Sequence, residues 1–228
     1  MNYKIVKDEK LLKDFIDWLP ELKENEKYYL CLFARNKYCK ELTHIKSDKA
    51  QLKRFVSDKE RMFQKIKQLE IEVGWYKQKQ VSVPEEALAL YITPNPRNMF
   101  KATVNTMVKL AESIRDQNVE MNSHQEALSE IQKAKSRTCW IDFDIDASNP
   151  EVIDELVLEI KGYINSDAVV WLKTRGGVHC LVDPEKVEQK YKSTFYRNIA
   201  KCADQTGDNM IPVPGCCQGG FTPHFINF

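Results

Sequence analysis

The stretch Trp140, Ile141, Asp142, Phe143, Asp144, Ile145, Asp146 decides how this chain is read. Its alternation has the two-residue period of a strand, so the carboxylates of Asp142, Asp144 and Asp146 point to one face and the apolar Ile141, Phe143 and Ile145 to the other. Two carboxylates about 6 Å apart repel by roughly 3 kcal/mol at an effective dielectric near 20. A divalent cation removes that cost. Mg²⁺ or Mn²⁺ takes hard oxygen ligands, commonly one or two protein carboxylates completed by substrate phosphates, and paired metals about 4 Å apart serve phosphoryl transfer. The competing reading is an antiparallel strand whose polar face meets water.

Working outward, Ser148, Asn149 and Pro150 make a helix start, because proline is tolerated at the first helical position and a preceding polar side chain caps free N–H groups. Ile153, Leu156, Val157 and Ile160 then share one face of that helix. Two strands follow, Ala168 to Lys173 and Val178 to Val182, joined by the hairpin turn Thr174, Arg175, Gly176, Gly177. Pro184 opens a further predicted helix with Val187, Tyr191, Phe195, Ile199 and Cys202 on one side.

Upstream, Tyr28 to Phe33 reads as a buried strand. The charged stretch from Lys46 to Lys67 reads as an amphipathic helix carrying Leu52, Phe55, Phe63, Ile66 and Leu69. Leu88 to Thr93 is a second strand, stopped by Pro94, Asn95, Pro96 and Arg97. Phe100, Val104, Met107, Ala111 and Ile114 recur at helical spacing and are expected to pack into the core. Gln117 to Lys135 is polar and predicts a loop and a short helix. Strands interleaved with helices around a sheet define an α/β (α+β) fold.

Composition narrows the setting. With 228 residues the chain can bury a sizeable core, and its 34 basic and 33 acidic side chains nearly cancel, so net charge names no partner. The seven cysteines are scattered and never spaced as CxxC, which argues against a disulfide framework and a zinc ribbon and fits a reducing cytosol. No apolar run is long enough for a bilayer and no basic-then-apolar leader opens the chain, so a cytoplasmic protein without membrane association is expected.

Two further elements carry chemistry. Lys173, Thr174, Arg175, Gly176, Gly177, Val178 and His179 bring cations, a hydroxyl, permissive glycines and a histidine into one turn, a phosphate-binding inventory, although such a hairpin is also an ordinary solvated turn. His179 should project away from whatever Val178 and Cys180 pack against. Further on, Asp204 and Asp208 flank Gly207 ahead of Pro214 and Gly215. A helix C-terminus capped by glycine accounts for this segment equally well, so Asp208 gains weight only from the other elements.

Taken in order, the DxD strand (Asp142, Asp144), the basic hairpin ending in His179 and the later Asp208 before Pro214 and Gly215 resemble the archaeo-eukaryotic primase superfamily, in particular the primase-polymerases of plasmids and phages. Thr93, Pro94, Asn95, Pro96 and Arg97 resemble the turn those proteins carry after an N-terminal strand. The resemblance implies one catalytic domain over 1–228, with a helix-rich lobe over 1–135 and an RRM-like lobe with the catalytic sheet over 136–228. It implies that Asp142, Asp144 and Asp208 hold Mg²⁺ or Mn²⁺, that Thr174 and His179 contact the phosphates of an incoming nucleotide, and that Lys173 and Arg175 assist. The implied activity is DNA primase or polymerase: template-directed nucleotidyl transfer from nucleoside triphosphates on single-stranded DNA. A helicase or other replication protein is an implied partner, in a bacterial, archaeal or phage-encoded setting.

The chain departs from the family where Ile211, Pro212 and Val213 stand in place of an arginine before the Pro-Gly turn, and Asp204 competes with Asp208 for the third acidic position. The alternatives are a metal-dependent nuclease pairing Asp142 with Glu159 and Lys161, and a catalytically inactive nucleic-acid-binding module of the same fold. A polymerase-β-like enzyme is disfavoured, since Ser129 to Arg137 contains no glycine.

Overall fold

The acidic stretch is a strand in the computed structural model, which describes residues 1–39, 49–118 and 120–228. The element order is α1 (Glu9–Trp18), β1 (Glu26–Ala34), β2 (Ala50–Ser57), α2 (Lys59–Lys67), β3 (Lys77–Gln78), β4 (Val81–Ser82), β5 (Leu88–Ile92), β6 (Arg97–Asn98), α3 (Met99–Arg115), α4 (Ser123–Lys133), β7 (Ile141–Ile145), α5 (Pro150–Lys161), β8 (Val169–Lys173), β9 (Val178–Val182), α6 (Phe195–Ile199), β10 (Gln205–Gly207), β11 (Ile211–Pro212) and β12 (His224–Ile226). Short polar side chains start the longer helices. Asp8, Asp58, Asn98, Asn122 and Asn149 each accept a backbone N–H from the first turn of α1 to α5, and Pro150 follows Asn149 at the first helical position.

The strands form two antiparallel sheets and a small β3–β4 hairpin. The first sheet runs β11-β5-β1-β2, with β6 also on β1. The second runs β10-β7-β9-β8-β12. Its first four strands, joined in sequence by α5, a hairpin and α6, make the split βαβ arrangement, in which a crossover helix leaves room for a later strand between the two it connects. The segment after residue 135 contributes to both sheets: β11 and Gln218 pair with the first sheet through β5, and β12 returns to β8.

Alternation along β7 separates two environments. Phe143 and Ile145 join Val178 and Cys180 in a core closed by Ile153, Val157 and Ile160 of α5 and by Phe195 and Ile199 of α6. On the other face Trp140, Leu172 and Leu181 join Leu30, Leu32 and Leu90 of the first sheet and Leu12 and Phe15 of α1. The reverse side of the first sheet packs Tyr29, Cys31 and Phe33 against Leu128 and Ile131 of α4. The two sheets are therefore fused through a shared core.

Three predicted elements differ. The stretch expected as one helix from Lys46 to Lys67 is strand β2 followed by α2, and residues 46–48 lie outside the described residues. Ala50 to Ser57 find ladder partners along β1, and Asp58 then caps a new helix, so tertiary pairing overrides a local pattern that suits either state. The helix expected from Pro184 is a run of turns, with Lys186 N–H bonded to Asp183 O and Tyr191 N–H to Glu188 O, until α6 begins at Phe195. Val187 is buried within those turns and Phe195 and Ile199 are buried on α6, so the stripe marks burial whether or not helical bonds form.

The third difference is the stripe on α3. Phe100, Met107 and Ile114 are 69%, 65% and 79% exposed. That helix packs on α4 through its opposite side, where Ala102 is buried. Periodicity identifies an apolar face but not whether anything covers it. No helix among the described residues is long and apolar enough to cross a membrane.

Candidate active site

Along one face of β7 and its flanks the side chains pass from buried to exposed: Trp140 and Asp142 are buried, Asp142 at 0% exposure, the Asp144 side chain is 23% exposed, and Asp146 is at the surface. The register opposes Asp144 to His179 on β9. His179 Nδ1 lies 2.8 Å from Asp142 Oδ1, and His179 Nε2 lies 3.4 Å from Asp144 Oδ1, so one buried ring spans two carboxylates. Burial opposes charge on that ring. Asp142, through its charge and hydrogen bond, and Asp144 and Asp146, through their charges, outweigh burial and raise His179 above the ordinary histidine value. Burial, joined by the charges of Asp142, Asp146 and Asp204, raises Asp144 against the opposing influence of His179.

The hairpin tip is shaped by the strand beside it. Thr174 is buried, its N–H bonds Gly177 O at 3.0 Å, and its hydroxyl accepts the Gly177 N–H at 3.2 Å. A Cβ on Gly177 would overlap the Ile145 carbonyl oxygen and stand 2.9 Å from the Ala147 nitrogen, so only glycine lets the tip approach the end of β7 this closely. Thr174, Gly176 and His179 line a cleft of about 970 Å³ together with Asp144, Asp146 and Asp208. Its other wall comes from the first sheet and α4, where Arg35, Arg54, Arg97 and Lys133 accompany Phe33 and Tyr91. An acidic floor thus faces a basic wall.

The remaining expected site residues take other positions. Lys173 shares the face of Trp171 and Val178 and so lies on the side of the sheet away from Asp142 and His179. Arg175 reaches out of the tip to the carbonyl oxygen of Gly219 and the ring of Tyr38. Asp208 is on the cleft, and between the two competing acids it is the one placed there. Asp204 accepts the Asp146 N–H at 2.8 Å, and its own N–H bonds Asp144 O at 2.8 Å, which fastens the end of β7. Glu159 and Lys161 sit on α5, across the sheet from Asp142.

Asp208 is held from the first sheet. Asn95 Nδ2 donates to its Oδ1 at 2.8 Å, and Arg97 Nη1 donates to its Oδ2 at 2.5 Å. Asn95 also accepts the N–H groups of Cys139 and Trp140 and donates to Trp140 O, each at 2.8 Å, so one buried amide ties together the entry to the acidic strand, the Pro-Asn-Pro turn and the third acid. Read as turn residues, Asn95 and Arg97 gave no sign of this role in the sequence. Asp146 lies on the cleft because α5 starts only at Pro150, capped by Asn149, and strand parity carries Asp146 to the same face as Asp144.

These residues can be tested against a divalent cation. Among the described residues no group of three or more His, Cys, Asp or Glu side chains converges on one point. Mg²⁺ does not require such a cage, since one or two carboxylates and substrate phosphates complete its shell. Asp142 Oδ2 is fully buried without a hydrogen-bond partner, an arrangement that a cation shared with Asp144 would relieve. Asp142 and Asp144 therefore fit a metal, while Asp208 has both oxygens engaged by Asn95 and Arg97. Compared with known proteins, the chain matches no family model, no curated protein and no solved structure.

Proposed function

We propose that this chain is a primase-polymerase of the archaeo-eukaryotic primase type, in which the split βαβ sheet is the RRM-like catalytic sheet and the first sheet with α1 to α4 forms the second lobe. The observation that carries the reading is the cleft itself, where Asp144 and His179 lie side by side opposite Arg35, Arg54 and Arg97. A triphosphate entering it would meet cations on one side and carboxylates on the other, and carboxylates repel phosphate unless a divalent cation intervenes.

Mg²⁺ or Mn²⁺ held by Asp142 and Asp144 would supply activation of a 3′ hydroxyl and neutralise charge on the departing pyrophosphate. His179 is fixed by Asp142 and can donate a hydrogen bond towards a phosphate oxygen in the cleft. Thr174 and Gly176 shape the floor beneath that phosphate. Asp208 holds Arg97 at the cleft wall, where a guanidinium can pair with phosphate. Substrates of this class, single-stranded DNA and nucleoside triphosphates, place the protein in a cytoplasm, with a helicase or other replication protein as partner.

The test is extension of primed and unprimed single-stranded templates with nucleotides and Mn²⁺, run beside a D142A/D144A double variant. Wild-type extension that the double variant loses by at least about a hundredfold is the expected result. No extension by wild type, or equal extension by the variant, overturns the reading.

A further inference from the structure

We propose that Arg175 is a positioning residue that fastens the tip of the β8–β9 hairpin to the first sheet and so fixes where Thr174, Gly176 and His179 stand in the cleft. Its effect on catalysis rests on the function proposed above; the fastening itself does not. The sequence offered Arg175 as an assisting phosphate contact; in the structure three contacts tie it to the turn at Gln218 and Gly219 and to the Tyr38 ring. Its backbone N–H donates to Gln218 Oε1 at 2.8 Å, its Nη1 donates to the Gly219 carbonyl oxygen, and its guanidinium lies over the Tyr38 ring, 4.5 Å from the centroid.

The receiving turn is itself anchored. Gly219 N–H donates to Leu88 O at 2.8 Å, Gln218 bridges Ala89, and Gln218 Nε2 lies 3.4 Å from the Tyr91 hydroxyl, which accepts from Arg35 Nη1 at 2.8 Å. A path of polar contacts therefore runs from the hairpin tip through Arg175, Gln218 and Tyr91 to the basic wall. Space around the guanidinium is closed. Gly219 has φ +60°, and a Cβ there would overlap Arg175 Nη1 and stand 2.5 Å from ring carbons of Tyr38. Arg175 has Thr174 and Gly176 as its chain neighbours, both on the cleft, so a displaced Arg175 displaces them too.

The geometry distinguishes fastening from a charge role. Lysine keeps the charge of Arg175 but lacks the planar fork that donates and stacks together. Gly219→Ala leaves the charge untouched and removes the space. Hydrogen exchange of the full chain should show amides of residues 173–179 exchanging at least about tenfold faster in R175A and in G219A, with R175K failing to restore protection. In extension assays the nucleotide KM should rise about tenfold in both R175A and G219A, with kcat changed less. Unchanged exchange at 173–179 in R175A overturns the proposal, as does full rescue by R175K with G219A neutral, the pattern of a phosphate contact. If wild type does not extend a template, the proposed function falls and the exchange measurements alone decide the fastening.

Discussion

At the scale of single residues, Asn95 shows how one side chain can organise a site without touching substrate. Its amide makes four hydrogen bonds at 2.8 Å, two accepted and two donated, in full burial between two prolines. Asn95→Ala would leave the N–H groups of Cys139 and Trp140 and the Trp140 carbonyl without partners at the entry to the acidic strand. Each buried unsatisfied group costs about 1–3 kcal/mol, partly relieved by water, so a loss of roughly 3 kcal/mol is expected in urea unfolding. A loss below about 1 kcal/mol would mean that Asn95 does not carry this junction. Asp208 would also lose one of its two donors, so template extension should fall more in Asn95→Ala than in a core truncation of equal stability cost.

At the scale of elements, the β8–β9 hairpin and α3 are opposite cases. The hairpin was legible because strand runs flank a glycine-containing turn, and its tip lies so close to β7 that Gly177→Ala forces backbone apart at Ile145 and Ala147. A destabilisation of about 3 kcal/mol or more is expected in thermal or urea unfolding; a loss under about 0.5 kcal/mol would contradict the close approach. Helix α3 was legible as a helix, yet its apolar stripe faces out. Met107→Lys and Ile114→Lys should therefore each change stability by no more than about 0.5 kcal/mol, where a buried site would lose several. Differential scanning fluorimetry on the two variants decides it.

At the scale of the whole molecule, the sheets are joined by apolar burial and by polar ties, of which Glu26 and Arg137 form one. Glu26 in β1 accepts Arg137 Nε at 3.2 Å and the Lys23 N–H at 2.8 Å, and Arg137 lies just ahead of β7. Burial alone would raise the Glu26 carboxyl. The Lys23 N–H, Ser136 and Arg137 outweigh it and hold the group below the ordinary glutamate value. A carboxyl depressed in the folded state stabilises it above its unfolded pKa and loses that contribution as pH falls through the folded value. Glu26→Gln should cost about 2 kcal/mol at neutral pH, and the gap to wild type should shrink as pH drops below about 4.3. Denaturation curves at pH 7 and at acid pH would show it; a gap independent of pH would remove Glu26 ionisation from the account.

Local chemistry was enough for much of this protein. Alternation fixed the face of Asp142, Asp144 and His179, glycines fixed the hairpin, and Asn149 with Pro150 fixed the start of α5, because each depends on neighbours a few residues away. The boundary within Ala50 to Lys67, the turns after Pro184 and the exposure of α3 depend on which distant segments pair or pack, and an amphipathic pattern is the same whether or not a partner exists. The site divides in the same way. The sequence by itself determined the acidic strand, the face of its carboxylates and the side of its own strand on which His179 projects. Only the tertiary structure decided that His179 stands opposite Asp144, that Asp208 is held by Asn95 and Arg97 and that Arg175 reaches the turn at Gly219, because those outcomes arise from contacts between residues tens of positions apart.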